Sequence, residues 1–272
     1  MTGFLVVNAY LRSEKFDALH RHLAESAASL DIELKVKTNE AILLGAEPAD
    51  FVLFWDKDVH AARLLEQKGV PVFNSAASVA LCDDKAKTYL QLLGVVPQPA
   101  TVIAPLSFFD DTDYSRFIDS AVQQLGLPLV YKECCGSFGE QVYLCRTVPE
   151  ILSHINGKPF LLQEFIADSA GEDVRIEVVD GQCVAAMKRT NPNDFRSNLT
   201  NGGTAQPYTP TAEEAKTAVR ACEALGLTFG GVDMFCNGMV CEVNSNAHII
   251  NMMNITGVDV APLIFKSILK KL

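Results

Sequence analysis

The stretch Gly231-Val232-Asp233-Met234-Phe235-Cys236-Asn237-Gly238-Met239-Val240-Cys241-Glu242-Val243-Asn244 reads as two apolar strands joined by an Asn-Gly turn. Asn and Gly tolerate the left-handed backbone of a tight hairpin, so a two-residue loop is predicted. That register pairs Cys236 with Met239 and sets Asp233 opposite Glu242. Asn244 shares the face of Glu242, because strand side chains repeat every second residue. Two carboxylates ~5 Å apart repel by roughly 3 kcal/mol at an effective dielectric of ~20. Water screening, protonation of one acid, or a hard cation between them would each relieve the repulsion. Oxygen-only donors favour Mg²⁺ or Mn²⁺, which makes Asp233, Glu242 and Asn244 the candidate metal ligands.

Upstream, Asp180-Gly181 predicts another tight hairpin, between Val174–Val179 and Gln182–Met187. Its register sets Asp173 opposite Lys188 and Glu172 opposite Arg189. Asp173, Arg175 and Glu177 alternate with Val174, Ile176 and Val178, giving one charged face that is either a solvated surface or a cleft wall. The segment Asn191–Thr204 carries Arg196 and Asn198 and is long for a passive connector, so it is predicted to be an active-site loop. Lys132 ends the apolar run Leu129-Val130-Tyr131 and leads into Glu133-Cys134-Cys135-Gly136-Ser137-Phe138-Gly139. Glycines there let backbone N–H groups converge on an anion, and the strand-borne lysine adds a point charge. No Gly-Lys-Ser/Thr opens a helix at this place, so the loop is a strand-to-strand lid rather than a P-loop.

The first 80 residues alternate strand and helix: strands over Phe4–Asn8, Glu33–Val36, Phe51–Trp55 and Val70–Phe73, helices over Lys15–Leu30 and His60–Lys68. One further helix is predicted from Ser75 to Leu93, stopping at Gly94, before a passage marked by Pro97, Pro99 and Pro105. Thr211 with Glu214 forms a capping box for a helix ending at Gly226. Across the 272 residues, 49% are hydrophobic and 21% charged, which excludes a disordered chain. The net charge of −10 argues against a nucleic-acid partner. No apolar stretch approaches the ~18 residues of a membrane helix, and the N-terminus reads as a strand rather than a leader, so a cytoplasmic location is expected. The 8 cysteines show no zinc-type pairing and read as small buried hydrophobes of a reducing compartment.

Taken in order, the strand-ending Lys132, the glycine lid, the strand Gln163-Glu164-Phe165-Ile166 and the closing Asp233…Glu242-Val243-Asn244 resemble the ATP-grasp superfamily. Asp194-Phe195-Arg196-Ser197-Asn198-Leu199, Gly202-Gly203 and Gly231-Val232-Asp233 are similar specifically to RimK-type α-L-glutamate ligases, over roughly residues 70 to 272. The resemblance implies an α/β (α+β) protein with the ATP-grasp fold. It implies an open α/β pre-ATP-grasp lobe over residues 1–80, a central subdomain with the lid over 81–167, and a C-terminal subdomain with the metal site over 168–272.

The implied activity is an ATP-dependent carboxylate–amine ligase. ATP phosphorylates a carboxylate and an amine attacks the acyl phosphate. An amino acid such as glutamate would thus be added to a peptide, a protein tail or a small-molecule carboxylate. ATP with two Mg²⁺ (or Mn²⁺) ions is implied, as is self-association. Lys85 (in Asp84-Lys85-Ala86-Lys87-Thr88) and Lys132 match phosphate-contacting lysines, with Gly136, Ser137 and Gly139 in the lid. Gln163, Glu164, Phe165 and Ile166 match the adenine-binding strand and Asp173 the ribose acid. Arg196, Ser197 and Asn198 would reach the terminal phosphates, with Arg196, Asn198 and Lys188 in catalytic roles.

This chain departs from the family pattern at Gln141, where the lid usually ends in glycine, and at Ser245-Asn246-Ala247-His248, where the acceptor substrate is met. A non-catalytic nucleotide-binding module and a phosphotransferase are the alternative readings.

Overall fold

The computed structural model describes all residues from 1 to 272 except Ala46, Asp110, Phe138, Thr200 and Asn201. Phe138 of the expected lid, and Thr200 and Asn201 of the expected site loop, therefore lie outside the described residues. Among those described, the strands form three sheets. In the first, β1 (Thr2–Val7), β2 (Glu33–Thr38), β3 (Phe51–Phe54) and β4 (Val72–Phe73) pair in parallel in the order β2-β1-β3-β4. Their connections are α1 (Glu14–Ala28), α2 (Asn39–Gly45) and α3 (Val59–Gln67), the strand–helix alternation expected of this region.

The expected single helix over Ser75–Leu93 is two, α4 (Ala76–Asp83) and α5 (Lys85–Leu92). Asp84 breaks the run with an extended backbone (φ −113°, ψ 107°), and its carboxylate accepts from the N–H groups of Ala86 and Lys87. Aspartate competes for backbone donors in this way, which favours a cap over a helix interior. The break also frees the Lys85 N–H to donate to the Cys134 carbonyl at 2.8 Å, tying the start of α5 to the base of the lid.

The second sheet is antiparallel: β5 (Thr101–Ile103), β6 (Leu129–Glu133), β7 (Val142–Cys145) and β8 (Phe160–Glu164), ordered β5-β8-β6-β7 and backed by α6 (Ser115–Leu125) and α7 (Val148–Ser153). The third contains β9 (Glu172–Val179), β10 (Gln182–Thr190), β11 (Thr204–Pro207), β12 (Phe229–Met234) and β13 (Val240–Asn244), in the order β11-β10-β9-β12-β13. The capping box of Thr211 and Glu214 opens α8 (Ala212–Ala224), whose Ala218, Ala221 and Cys222 pack against Val174, Ile176 and Val178 of β9. The last helices are α9 (Ile249–Thr256) and α10 (Ala261–Lys271).

Packing crosses the sheets. Leu19 and Leu23 of α1 share a core with Phe265 and Ile268 of α10 and with Phe229 of β12. Asn74 staples the first sheet to the third. Its side-chain amide donates to the carbonyls of Phe229 (2.8 Å) and Ser245 (2.9 Å) and its oxygen accepts from Thr228 N–H (2.8 Å), all while 1% exposed.

Each hairpin of the third sheet carries an irregularity. Asp180 (φ 52°) and Gly181 (φ 71°) form the expected two-residue turn, pairing Gln182 with Val179. A β-bulge at Val184 then shifts the ladder by one residue, so Ala185 faces Glu177 and Arg189 faces Asp173. The expected pairs Asp173–Lys188 and Glu172–Arg189 do not form. In the other hairpin only Gly238 is left-handed (φ 82°), and Phe235 N–H donates to the Met239 carbonyl, giving a three-residue loop instead of the expected two. A second bulge at Cys241 cancels the offset, so Asp233 still lies opposite Glu242 and Gly231 opposite Asn244.

Candidate active site

The lid, the β6 and β8 ends, the β9–β10 and β12–β13 hairpins and the Asp194–Asn198 loop enclose one cavity. It is lined by every residue expected to hold the nucleotide: Lys85, Lys132, Gly136, Ser137 and Gly139, then Gln163 to Ile166, Asp173, and Arg196 to Asn198. Each arrives by a local cause. Lys132 is the fourth residue of a fully buried strand, and its ammonium donates to the Gln163 Oε1 at 2.7 Å. Gln163 is fixed in turn by donating to Thr101 Oγ1 at 2.9 Å. Glu164 accepts from the Ala100 N–H at 2.8 Å, anchoring the edge of the strand. The side chain of Gln141 folds back under the lid: its Oε1 accepts from Ser137 N–H, and a Cβ on Gly136 would stand 2.3 Å from it. The backbone at 136 has φ 156°, which favours glycine, and Gln141 fills space that a terminal lid glycine would leave open.

Arg196 is held on both sides. Its guanidinium donates to the Asp194 carboxylate (2.7 Å) and to the Gly139 carbonyl (2.6 Å), linking the third sheet's loop to the lid. From the first lobe, the Lys57 ammonium lies 2.6 Å from Asp83 Oδ1 and donates to the Gly136 carbonyl at 3.3 Å. Lys57 has no motif around it that sequence reading could have used; only the folded arrangement brings it to the lid.

The charged face of β9 is a cleft wall. Arg175 donates to both oxygens of Asp233 at 2.7 Å each. Arg189 binds both oxygens of Asp173 and also lies 3.1 Å from Asp233 Oδ2. Burial pushes the Asp233 carboxyl up, but the two guanidinium groups outweigh it and hold the group below the usual carboxylate range. Glu177, beside Gly231, is pushed by burial up to about 7 against the pull of Arg175, and its Oε1 has no hydrogen-bond partner. No side chain fits at 231: a Cβ there would meet Ala247 Cβ at 2.8 Å and Glu177 Oε1 at 3.1 Å.

These contacts correct one expectation. Lys188 lines neither cavity of the cleft; it pairs with Glu172 at 2.7 Å, and the bulge at Val184 puts Arg189 into the site in its place. Arg189 is only 3% exposed. Its position could be read from sequence only by recognising that bulge. Asp233 is held as well. The opposed Asp233–Glu242 pair is real, but two arginines offset the charge of Asp233, and both of its oxygens are taken.

Among the described residues no group of three or more His, Cys, Asp or Glu side chains is gathered closely enough to hold an ion. All three members of the expected set line the cleft, but Glu242 and Asn244 are not held by arginine. Glu242 lines both cavities, its carboxylate 3.7 Å from the Lys85 ammonium, and Asn244 Nδ2 is buried without a partner. Those two oxygens suit a hard divalent cation; Asp233 would join them only by giving up an arginine contact.

A second cavity of about 510 Å³ adjoins the first. Gly136, Ser137, Gly139, Arg189, Asn198 and Glu242 line both, and Asn8, Lys15, Trp55 and Lys57 of the first lobe wall its far side.

A cleft between two α+β sheets, covered by a glycine lid and open to a second chamber, is the arrangement of an ATP-dependent ligase of the ATP-grasp class. The chain belongs to the RimK-like ATP-grasp domain family, whose profile matches residues 82–268. It is 38% identical over 220 residues to the probable alpha-L-glutamate ligase 1 of Hahella chejuensis, covering 77% of this chain and 70% of that one. It is 30% identical over 219 residues to human N-acetylaspartylglutamate synthase A, covering 77% of this chain and 55% of the human protein. The fold is similar to that of the RimK domain ATP-grasp protein of Sphaerobacter thermophilus, with a TM-score of 0.75, 23% identity, and 98% of this chain and 99% of that one covered. No helix among the described residues is long and apolar enough to cross a membrane.

Proposed function

We propose that this protein joins an amino acid such as glutamate to a small-molecule carboxylate, a peptide or a protein tail, through an acyl phosphate. The observation that carries the reading is the meeting of the two cavities at Arg189, Asn198 and Glu242. A phosphate delivered from one side and a carboxylate from the other come together at those residues. The glutamate-related names of its relatives support this substrate class.

In this reading Lys85 and Lys132 neutralise the phosphates, and Arg196 and Asn198 position the reacting end beneath the lid. Arg189 takes the catalytic place first expected of Lys188. Phosphoryl transfer asks a protein mainly for positioning and charge neutralisation, which these cations and amides supply. A divalent ion held by Glu242 and Asn244, with Asp233 nearby, would add Lewis-acid charge compensation between phosphate oxygens. Asp173 stays oriented by Arg189, and the strand Gln163–Ile166 offers backbone groups to a purine. The lid glycines exclude water, which would hydrolyse an acyl phosphate. Residues 1–80, 81–167 and 168–272 are the working units of this proposal: acceptor wall, lid-bearing lobe and phosphate-and-metal lobe.

Product mass spectrometry after incubation with ATP, Mg²⁺, an amino-acid pool and candidate carboxylates tests the reading. An amide product with stoichiometric ADP and phosphate is expected. A stable phosphorylated product would make the protein a phosphotransferase, and tight ATP binding without acceptor-dependent ADP would make it a regulatory module.

A further inference from the structure

The second cavity, about 510 Å³, is of the size that small-molecule sites occupy. Its two ends differ. At one end it shares the lid glycines, Arg189, Asn198 and Glu242 with the nucleotide cavity, so the group that receives a phosphoryl must lie there. Lys15, Phe16, His20 and Asn251 line only the other end. Whatever touches them is a part of the substrate that does not react.

Among the described lysines and arginines that line the cavity, Lys15 alone has no ion-pair partner. Arg175 and Arg189 are answered by Asp233 and Asp173, Lys57 by Asp83, and Lys85 by Glu242. Asp56 accepts from Asn8 Nδ2 and from the Lys57 N–H. Lys15, an exposed residue lining the cavity, makes no ion pair with any described residue, and partial burial together with the nearby Arg175 guanidinium lowers its pKa. An unanswered ammonium in the field of a second cation is a place that attracts an anion.

The neighbours narrow the chemistry. His248 is pushed by burial down to about 4, and His20 is lowered by burial too, so neither imidazole carries charge at neutral pH. Phe16 lies between them, its ring centre 6.5 Å from that of His20 and 6.0 Å from that of His248. The amides of Asn246 and Asn251 complete the wall. A cation beside a flat, uncharged floor with amide donors suits a carboxylate on a short methylene chain.

We infer that Lys15 holds the non-reacting carboxylate of an acidic amino acid or dicarboxylic acid at the far end of the second cavity. The inference deepens the ligase reading and rests on it for the identity of the reacting end. The carboxylate could belong to the amine donor or to the acceptor, and the experiment separates the two.

Full-length wild-type, Lys15→Met and Lys15→Arg proteins are assayed for ADP release with L-glutamate or L-glutamine as donor, and with glutarate or its monoamide as acceptor. Loss of one charged hydrogen bond should raise the KM of the diacid partner about 10- to 100-fold in Lys15→Met. Its kcat and its KM for ATP should stay within about twofold, and the acid-over-amide preference should vanish. Lys15→Arg should retain that preference. Whichever substrate shows the effect is the one Lys15 grips. An unchanged KM in Lys15→Met, or an equal rise for acid and amide, would overturn the inference. Should no pair give an amide, the ligase reading falls, and calorimetric binding of L-glutamate and glutarate decides separately. Binding by wild type that Lys15→Met loses would uphold the subsite; equal binding, or none to wild type, would end it.

Discussion

Hairpins β9–β10 and β12–β13 lie side by side in one sheet, joined by the pairing of β9 with β12, and each contains one bulge, yet the bulges act in opposite senses. At Val184 the extra residue follows a regular turn and offsets everything beyond it, bringing Arg189 under the nucleotide cavity and turning Lys188 toward Glu172. At Cys241 it follows an irregular turn and restores the alignment of Asp233 with Glu242. Side chains alternate faces along a strand, so one inserted residue decides which cation is buried in the cleft. The first irregularity completes the ring of Arg175, Asp233, Arg189 and Asp173, and the second sets Glu242 beside it.

The comparison is broken most severely by removing a buried partner. Arg189→Met leaves Asp173 and Asp233 short of charge, and should cost about 3–5 kcal/mol in urea unfolding. Turnover should fall at least about 100-fold. Lys188→Met removes a partly exposed pair and should change stability by no more than about 1 kcal/mol, with turnover nearly intact. Equal losses in the two variants would mean that the bulge does not sort them.

Among the described residues, Asn74 ties the second hairpin to the first lobe by hydrogen bonds. Asn74→Ala strands buried carbonyls of Phe229 and Ser245 and should cost about 3 kcal/mol, read as a fall in the urea midpoint without a change in slope. A neutral result would show that water replaces the side chain.

Glu177 sits where the two hairpins meet, opposite Ala185 on one side and Gly231 on the other. Its carboxyl is pushed from 4.5 up to about 7, so the folded protein keeps a proton that the unfolded chain has released. Stability should therefore fall as pH rises from 4.5 to about 7 and level off above, by up to roughly 3 kcal/mol. Glu177→Gln should flatten that slope, as measured by unfolding at pH 5 and pH 8. A slope unchanged in the variant would assign it to other groups.

Deleting Val184 is the mildest test. It removes the bulge but leaves Ala185 facing Glu177 and Arg189 facing Asp173, so turnover should stay within a few-fold and stability within about 1 kcal/mol. A collapse of activity like that of Arg189→Met would show that the ladder slips when the extra residue is gone.

Much of this architecture is legible in the chain because local chemistry and fold agree. The Asp180-Gly181 turn, the Thr211–Glu214 capping box and the apolar runs of β1, β3 and β6 form where their residue types ask for them. The nucleotide wall is legible for the same reason, since its lysines and glycines sit at strand ends and turns. Bulges leave no such mark: Val184 and Cys241 have nothing in their own side chains to announce an extra residue. Asp233 shows a different limit. Two opposed acids signal only that something must offset them, and arginines from two other strands do so. Lys57 and Asn74 were silent because their partners are more than 20 residues away in the chain, and Lys15 because only the fold brings it to the cavity.

The lid carbonyls of Gly136 and Gly139 are gripped by cations from separate bodies, Lys57 of the first lobe and Arg196 of the third. Any movement that opens the loop has to part both grips, and Lys57 is itself moored to Asp83. Opening of the loop is thus coupled to both outer lobes through these two contacts. Added salt, which weakens such part-exposed charge contacts, would loosen the door while leaving the buried arginine ring shut.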